Sequence, residues 1–136
     1  EAIEMEYPLR VEEYSFVENS GGAGKYRGGL GIRRIIRPIA HKCEFSGVGE
    51  RFKHSPWGVF GGKPGKPGKF FIKHKNGKIT KLSSKSSSIY TTEKDAIVME
   101  TPGAGGYGDP KKRSKENLLK DKISGKFSNS YIKKYY

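Results

Sequence analysis

The chain has 136 residues with a net charge of +13 and one cysteine, and its mean hydropathy is −0.74. This length fits a single domain with a modest core. The lone cysteine excludes a disulfide framework and a cysteine-built zinc site, and no apolar run approaches the roughly 20 residues that span a bilayer. We therefore expect no membrane partner. No basic segment followed by an apolar one opens the chain, so we also expect no signal peptide and a cytoplasmic location.

The positive charge is unevenly distributed along the chain. Residues 61–88 carry eight lysines and no acid, whereas residues 1–20 carry six acids and one base. A basic surface suits nucleic acid, phosphate or an acidic protein, but it is also the ordinary surface of a soluble lysine-rich protein. We favour the second interpretation and keep polyanion binding as the alternative.

The first half of the chain predicts three strands. Residues 7–17, 30–39 and 42–48 combine β-prone residues with partial alternation of apolar and polar side chains. We expect Pro38 to end the second strand or to lie at a sheet edge.

The second half predicts a hairpin, two further strands and a helical end. Residues 69–82 are two β-prone arms around Asn76-Gly77, which predicts a type I′ turn. Residues 83–88 are rich in serine and lysine and predict a loop, whereas residues 88–91 and 95–101 predict strands. The expected helix signals are Asp109-Pro110, Ser114 and Ser128 as N-caps, Gly125 as a helix end, and an apolar stripe of Leu118, Leu119 and Ile123.

These elements predict a mainly β protein. We expect one antiparallel β domain, either a sandwich or barrel-like, over residues 1–108, with glycine-rich loops. Short C-terminal helices follow over residues 109–136, so that residues 1–136 form a single domain.

Glycine is concentrated in three short blocks, 21–31, 58–68 and 103–108, which hold 15 of the 19 glycines. Glycine is entropically unfavourable in ordered structure, so such clusters need a local reason: positive φ, close backbone approach or a loop fitted to a ligand. The interleaved Tyr26, Trp57, Phe60 and Tyr107 argue against flexible linkers, which lack large aromatic residues. We predict ordered loops.

No motif in the sequence completes a catalytic site. The GAGGYG segment at 103–108 matches the dinucleotide pattern GxGxxG but lacks the following strand and acidic residue, and the segment 58–63 is one residue short of a P-loop. The three histidines have no metal-ligand spacing, and no serine stands in GxSxG. We therefore predict no metal site in this chain.

Residues 51–78 interleave aromatic rings with lysines, as single-strand nucleic-acid binders do. Because the chain has few other large apolar residues, we expect these rings to fill the core instead. Trp57 is accordingly predicted as a core anchor, and nucleic acid is not expected as a partner.

Several ordered blocks together resemble one family. They are Tyr7 to Glu12 (YPLRVE), Ser20 to Gly31 (SGGAGKYRGGLG), Gly49 to Phe52 (GERF), Pro56 to Gly65 (PWGVFGGKPG) and Glu100 to Pro110 (ETPGAGGYGDP). Their order and spacing are similar to the C-terminal portion of the hydantoinase B/oxoprolinase family. A departure occurs at Lys94-Asp95, where the family usually shows Gly-Asp.

The resemblance implies a role within a larger enzyme. The family includes B subunits of ATP-dependent N-methylhydantoinases, the C-terminal part of 5-oxoprolinases, and acetone carboxylase subunits, which open cyclic amides or carboxylate ketones. It implies that a partner A-type subunit binds ATP, that the remainder of the B subunit completes the site, and that the parent complex uses ATP with a divalent metal. This chain alone would then be inactive and hold no cofactor.

Two arginines and eight glycines are the candidate site residues. Arg27 and Arg51 stand beside glycines and could clamp a carboxylate or a phosphate. The alternative, which we favour, is an intrachain ion pair with Glu50, Glu100 or Asp109. The glycines expected to shape loops over a substrate cleft, or to pack closely on the rest of the subunit, are Gly21, Gly22, Gly28, Gly29, Gly61, Gly62, Gly105 and Gly106.

Overall fold

The computed structural model describes residues 2–136. Seven strands occur in that range, namely β1 (Leu9–Phe16), β2 (Ile32–Pro38), β3 (Cys43–Val48), β4 (Lys69–His74), β5 (Ile79–Leu82), β6 (Lys85–Thr91) and β7 (Asp95–Glu100). The helices are α1 (Ala2–Glu6), α2 (Lys115–Ile123) and α3 (Asn129–Tyr135), and a single 3-10 turn covers Pro110–Lys112. No helix in residues 2–136 combines the length and the apolar character needed to cross a membrane.

All strand pairs are antiparallel, as the sequence predicts. One sheet has the order β1-β2-β7-β4-β5, and β3 pairs with β6 in a separate two-stranded sheet. Within the described residues β1 and β5 are open edges, so the sheet does not close into a barrel. The arrangement is an open sandwich.

The strand register places one small core on each side of β7. On one face Val98 lies opposite Ile35 and Phe71, and Ile35, Ala96 and Val98 are buried together. On the other face Phe70 contacts Phe45 of the two-stranded sheet, with ring centroids 5.6 Å apart. Because β7 is apolar on both faces, it is the central strand.

The turn at Asn76-Gly77 differs from the predicted type I′ turn. A type I′ turn needs positive φ at both central residues, but only Gly77 has one, at +83°. The Gly77 amide donates to His74 O, and the His74 amide donates to Lys78 O. This is a three-residue loop with a glycine bulge, the next most common hairpin connection.

The predicted loop at 83–88 is wrong from Lys85 onward, because β6 begins at that residue. Val48 lies opposite Lys85, and Gly47 lies opposite Ser86. Serine has no strong β preference of its own. The edge of β3 supplies the backbone partners that make this segment a strand, and local composition does not reveal that edge.

The helix signals are confirmed at each predicted cap. The side chains of Asp109, Ser114 and Ser128 accept hydrogen bonds from backbone amides of the turns that they begin, and Gly125 follows α2 with a φ of +66°. The predicted apolar stripe, however, faces outward at Leu119 and Ile123, which are 55% and 77% exposed. The buried residue of α2 is Asp121.

Candidate functional site

The three glycine blocks meet and form one layer, which we call the glycine layer (residues 21–31, 58–68 and 103–108). The 103–108 segment lies between the other two. Its Ala104 amide donates to Gly29 O, and its Gly106 amide donates to Lys63 O, both at 2.9 Å. The Lys63 amide in turn donates to Ala23 O at 2.7 Å. Backbone hydrogen bonds therefore join all three blocks to one another.

Close backbone approach explains most of these glycines. A Cβ atom at Gly28 would lie 1.9 Å from Ala104 O, and one at Gly105 would lie 1.8 Å from Trp57 O. Such distances leave no room for any side chain. The same crowding, with a backbone atom within 2.5 Å of the added Cβ, applies to Gly21, Gly22, Gly62 and Gly106.

Two of the predicted glycines differ from this group. Gly29 has no heavy atom within 4 Å of an added Cβ. Gly61 has room as well, but its φ is +91°. Phe60 precedes it with a φ of +50°, and the Gly62 amide donates to Val59 O at 3.0 Å. Positive φ at both central residues is the mark of a type I′ turn, which here lies at Phe60-Gly61.

Arg27 is bound to a carboxylate that the sequence analysis did not name. Its Nε atom donates to Asp121 Oδ1 at 2.9 Å, and its NH1 donates to Gly28 O at 3.1 Å. Arg113 holds the other oxygen of Asp121, with NH2 at 2.6 Å. Asp121 is 4% exposed, so two guanidinium groups neutralise one buried carboxylate.

The expectation of an intrachain pair is thus confirmed for Arg27, but the expected partners are wrong. Glu100 is bound instead by Arg33 and Lys69, at 2.6 and 3.0 Å, and Asp109 caps the 3-10 turn. The sequence could not show which face of α2 is buried, because Asp121 stands opposite the apolar stripe that normally indicates the buried face.

Arg51 is placed differently from Arg27. Its φ is +58°, and its guanidinium lies 4.4 Å from the ring centroid of Trp57. Trp57 is 66% exposed, so its prediction as a core anchor is wrong. The backbone of Trp57 packs directly on the glycine layer, since a Cβ atom at Gly105 would lie 1.8 Å from Trp57 O, while its ring stays outside.

A polar cavity opens beside Arg51. Its volume is about 370 Å³, and its charged or titratable lining residues are Glu50, Arg51, Lys53, His54 and Lys85. The three cations Arg51, Lys53 and Lys85 outnumber the one carboxylate of Glu50, which gives this cavity a positive balance.

The aromatic residues of the 51–78 segment divide into two groups. Phe52 and Phe70 are partly buried and pack against each other, with ring centroids 4.7 Å apart, in line with the expected packing of these rings. Phe60, in contrast, is 75% exposed. It contacts Tyr107, with centroids 5.2 Å apart, and Tyr107 lies 6.2 Å from Tyr26. Together with Val59 these rings form an exposed surface on the glycine layer, which we call the aromatic surface (Tyr26, Val59, Phe60 and Tyr107).

The C-terminal segment packs against the glycine layer. Phe127 is 1% exposed and stacks on Tyr131, with ring centroids 4.6 Å apart. The Tyr131 hydroxyl donates to Gly21 O at 2.8 Å, and burial raises the pKa of Tyr131 to about 12. Tyr136 accepts a hydrogen bond from the Gly24 amide at 3.2 Å, and burial likewise raises its pKa.

The histidines do not converge on a metal. His74 lies between Asp95 (2.6 Å) and Thr80 (2.8 Å). His41 Nε2 lies 3.0 Å from Cys43 Sγ, and burial raises the pKa of that thiol. Over residues 2–136, no three His, Cys, Asp or Glu side chains are grouped so as to hold a metal ion.

Comparison with known proteins identifies the family. The family described as hydantoinase B/oxoprolinase matches residues 1–110. The chain belongs to the hydantoinase B/oxoprolinase family. This confirms the resemblance that the ordered sequence blocks indicate.

Three relatives illustrate the match. An uncharacterized protein of Methanocaldococcus jannaschii is 45% identical over 94% of this chain and 22% of its own length. The 5-oxoprolinase of Saccharomyces cerevisiae is 34% identical over 82% of this chain and 9% of its own. The crystal structure of the ATP-dependent caprolactamase from Pseudomonas jessenii superposes with a TM-score of 0.84 at 25% identity, over 97% of this chain and 23% of that one. The hydantoinase B/oxoprolinase chain described here thus spans less than a quarter of each relative.

Proposed function

We propose that residues 1–136 form one domain, the C-terminal structural domain of a hydantoinase B/oxoprolinase-type subunit, and that the domain is inactive alone. The observation that carries the proposal is the coverage: the chain accounts for 22% of the length of its 45%-identical relative. Most of such a subunit therefore lies outside this domain, and the catalytic groups lie there.

The side chains of this domain support that division. The described residues do not fit a divalent metal, because no three candidate ligands converge among them. They do not fit the phosphates of ATP in a P-loop manner either, because the glycine-block amides Gly22, Gly28 and Gly106 donate to other backbone carbonyls. These observations support assigning the metal and the nucleotide of the parent complex to other parts of it.

The parent enzyme opens a cyclic amide, or carboxylates a ketone, at the expense of ATP. Support for the opening of a cyclic amide comes from relatives named 5-oxoprolinase and ATP-dependent caprolactamase. In this proposal an A-type subunit binds ATP, the remainder of the B subunit completes the site with a divalent metal, and the complex works in the cytoplasm.

Of the two candidate arginines, Arg51 is the one we propose to lie beside an anionic group in the parent complex. Arg27 is engaged by Asp121, whereas Arg51 lines the basic cavity with Lys53 and Lys85. An arginine held in positive φ is strained, and such strain concentrates at functional sites.

Inorganic phosphate titrated into the labelled chain should shift the Arg51 Nε–H resonance. The control Arg34→Gln, which removes a guanidinium lying 4.9 Å over exposed Tyr14, should leave that shift unchanged. The absence of any shift at Arg51 would refute the proposal that this residue lies beside an anionic group.

Turnover assays test the proposed function. The isolated chain, given ATP, Mg²⁺ and hydantoin, 5-oxoproline or caprolactam in turn, is expected to release no phosphate and open no ring. The same assay after addition of an A-type subunit and the remainder of a B-type subunit is expected to restore turnover of one of them. ATP-dependent ring opening by the isolated chain would overturn the proposal.

A further inference from the structure

We propose that the aromatic surface is the docking face for the remainder of the same hydantoinase B-type subunit, and that the occupant presents an apolar centre with an acidic rim. This inference rests on the proposed function and adds the location and chemistry of the contact. Its starting point is that Tyr26, Phe60 and Tyr107 are 61%, 75% and 50% exposed, and that Tyr26 and Phe60 both lie beside Tyr107.

The surface is rigid, which favours binding. Tyr26 and Tyr107 exchange backbone hydrogen bonds at 2.9 and 3.0 Å, and Val59 O accepts from the Gly108 amide at 2.9 Å. Rigid aromatic residues lose little entropy on binding, and tyrosine is enriched among the residues that dominate interface energies.

Phe60 has no evident role in the isolated domain. It holds a positive φ of 50°, which is strained for a bulky side chain, and its ring is mostly in water. Asparagine or glycine would satisfy the same turn without strain. The strained, exposed ring is therefore explained by a contact that the isolated domain does not contain.

The amount of exposed surface fits a large partner. A folded monomer of 15.2 kDa exposes about 7,100 Å², whereas this chain exposes 8852 Å². The excess, roughly 1,700 Å², is more than the about 800 Å² that one partner buries in a standard interface. A subunit remainder several times the length of this chain supplies such an area.

Location and charge define the occupant. The aromatic surface lies wholly within residues 1–110, the part of the chain that matches the family. The exposed Lys25 lies 5.4 Å over the Tyr26 ring, and the exposed Lys63 belongs to the same layer. These cations favour an acidic rim on the partner.

The inference is tested by measuring the binding of this chain to a relative that lacks the matching segment. The probe is the Methanocaldococcus jannaschii relative, expressed without the segment that matches this chain, and its affinity for the 136-residue chain is measured by calorimetry. The double variant Phe60→Ala/Tyr107→Ala is expected to weaken binding at least tenfold. The matched control Leu119→Ala/Ile123→Ala, which removes equally exposed apolar side chains outside the aromatic surface, is expected to leave the affinity within about twofold.

A hybrid protein provides the second measurement, which does not require the separated probe to fold. This chain replaces the matching segment of the same relative, and thermal unfolding is compared with that of the isolated chain. The double variant should lower the unfolding midpoint of the hybrid by about 2–4 °C more than that of the isolated chain.

The outcomes separate the two proposals. If the two parts associate in either experiment but the double variant has no effect, the aromatic surface is refuted as the docking face. The proposed function then stands. Independent unfolding of the two parts of the hybrid, together with no binding in two pieces, refutes both. A dimer of the isolated chain that the double variant dissolves assigns the surface to a second copy and overturns the inference.

Discussion

Arg27 and Asp121 lie 94 residues apart in the sequence, and their 2.9 Å ion pair fastens α2 to the glycine layer. Arg113 completes the arrangement, because it holds the second oxygen of Asp121 and donates to Lys25 O at 3.1 Å. One buried carboxylate thus joins the helical C-terminus to a layer in which 15 residues are glycine.

Removal of that carboxylate should strongly destabilise the chain. Asp121→Asn leaves two arginines without their counter-charge, one of them 9% exposed at its side chain, and we expect the free energy of unfolding to fall by about 3 kcal/mol. Urea denaturation measures the change. The control Glu116→Gln, in an exposed pair with Lys120, should leave the urea midpoint unchanged, and equal midpoints for the two variants would contradict the assigned role of Asp121.

Two adjacent glycines should respond oppositely to alanine. Gly28→Ala forces a methyl group to within 1.9 Å of Ala104 O, whereas Gly29→Ala meets nothing within 4 Å. We expect Gly28→Ala to cost about 3 kcal/mol or more. Gly29→Ala should stabilise the chain by about 0.5 kcal/mol, because it reduces the entropy of the unfolded chain. Chemical denaturation of both variants decides the point, and a tolerated Gly28→Ala would disprove the close packing of the layer.

Tyr131 should make the stability of the chain decline at alkaline pH. Burial raises its pKa from 10.0 to about 12 in the folded chain. Between these values the unfolded chain has lost the phenol proton and the folded chain retains it, so the folded state binds more protons and stability falls as pH rises. Below pH 10 the contribution is fully present. Tyr131→Phe keeps the ring that stacks on Phe127, and it should flatten the decline in urea midpoint between pH 10 and 12. An unchanged slope would show that Tyr131 is not its source.

Phe60→Asn should stabilise the isolated chain. It places Asn-Gly at the Phe60-Gly61 turn, where both φ values are positive, and relief of the strained backbone is worth about 1 kcal/mol. If Phe60 serves docking, the same change should weaken binding to the subunit remainder, as expected when stability and function compete at one residue. Denaturation of the isolated chain measures the first effect; a loss of stability there would show that the Phe60 ring supports the fold itself.

The sequence by itself determined the elements whose cause is local. The caps at Ser114 and Ser128 need only a hydroxyl beside the first amides of a helix. The strand at 95–101 follows from its run of apolar residues, and the family follows from the order of the glycine blocks. These signals lie within a few residues of the structure that they specify, so they can be read without knowledge of the fold.

Tertiary structure decided which parts meet. Glycine carries no side chain that could indicate its neighbour, so the sequence left open whether the blocks enclose a ligand or one another. The burial of Asp121, the exposure of Trp57 and the strand formed by Lys85–Thr91 depend on segments distant in sequence. Only the assembled fold sets the contacts that decide them: the glycine layer packs backbone against backbone, Arg27 and Arg113 bind Asp121, and the edge of β3 pairs with Lys85–Thr91.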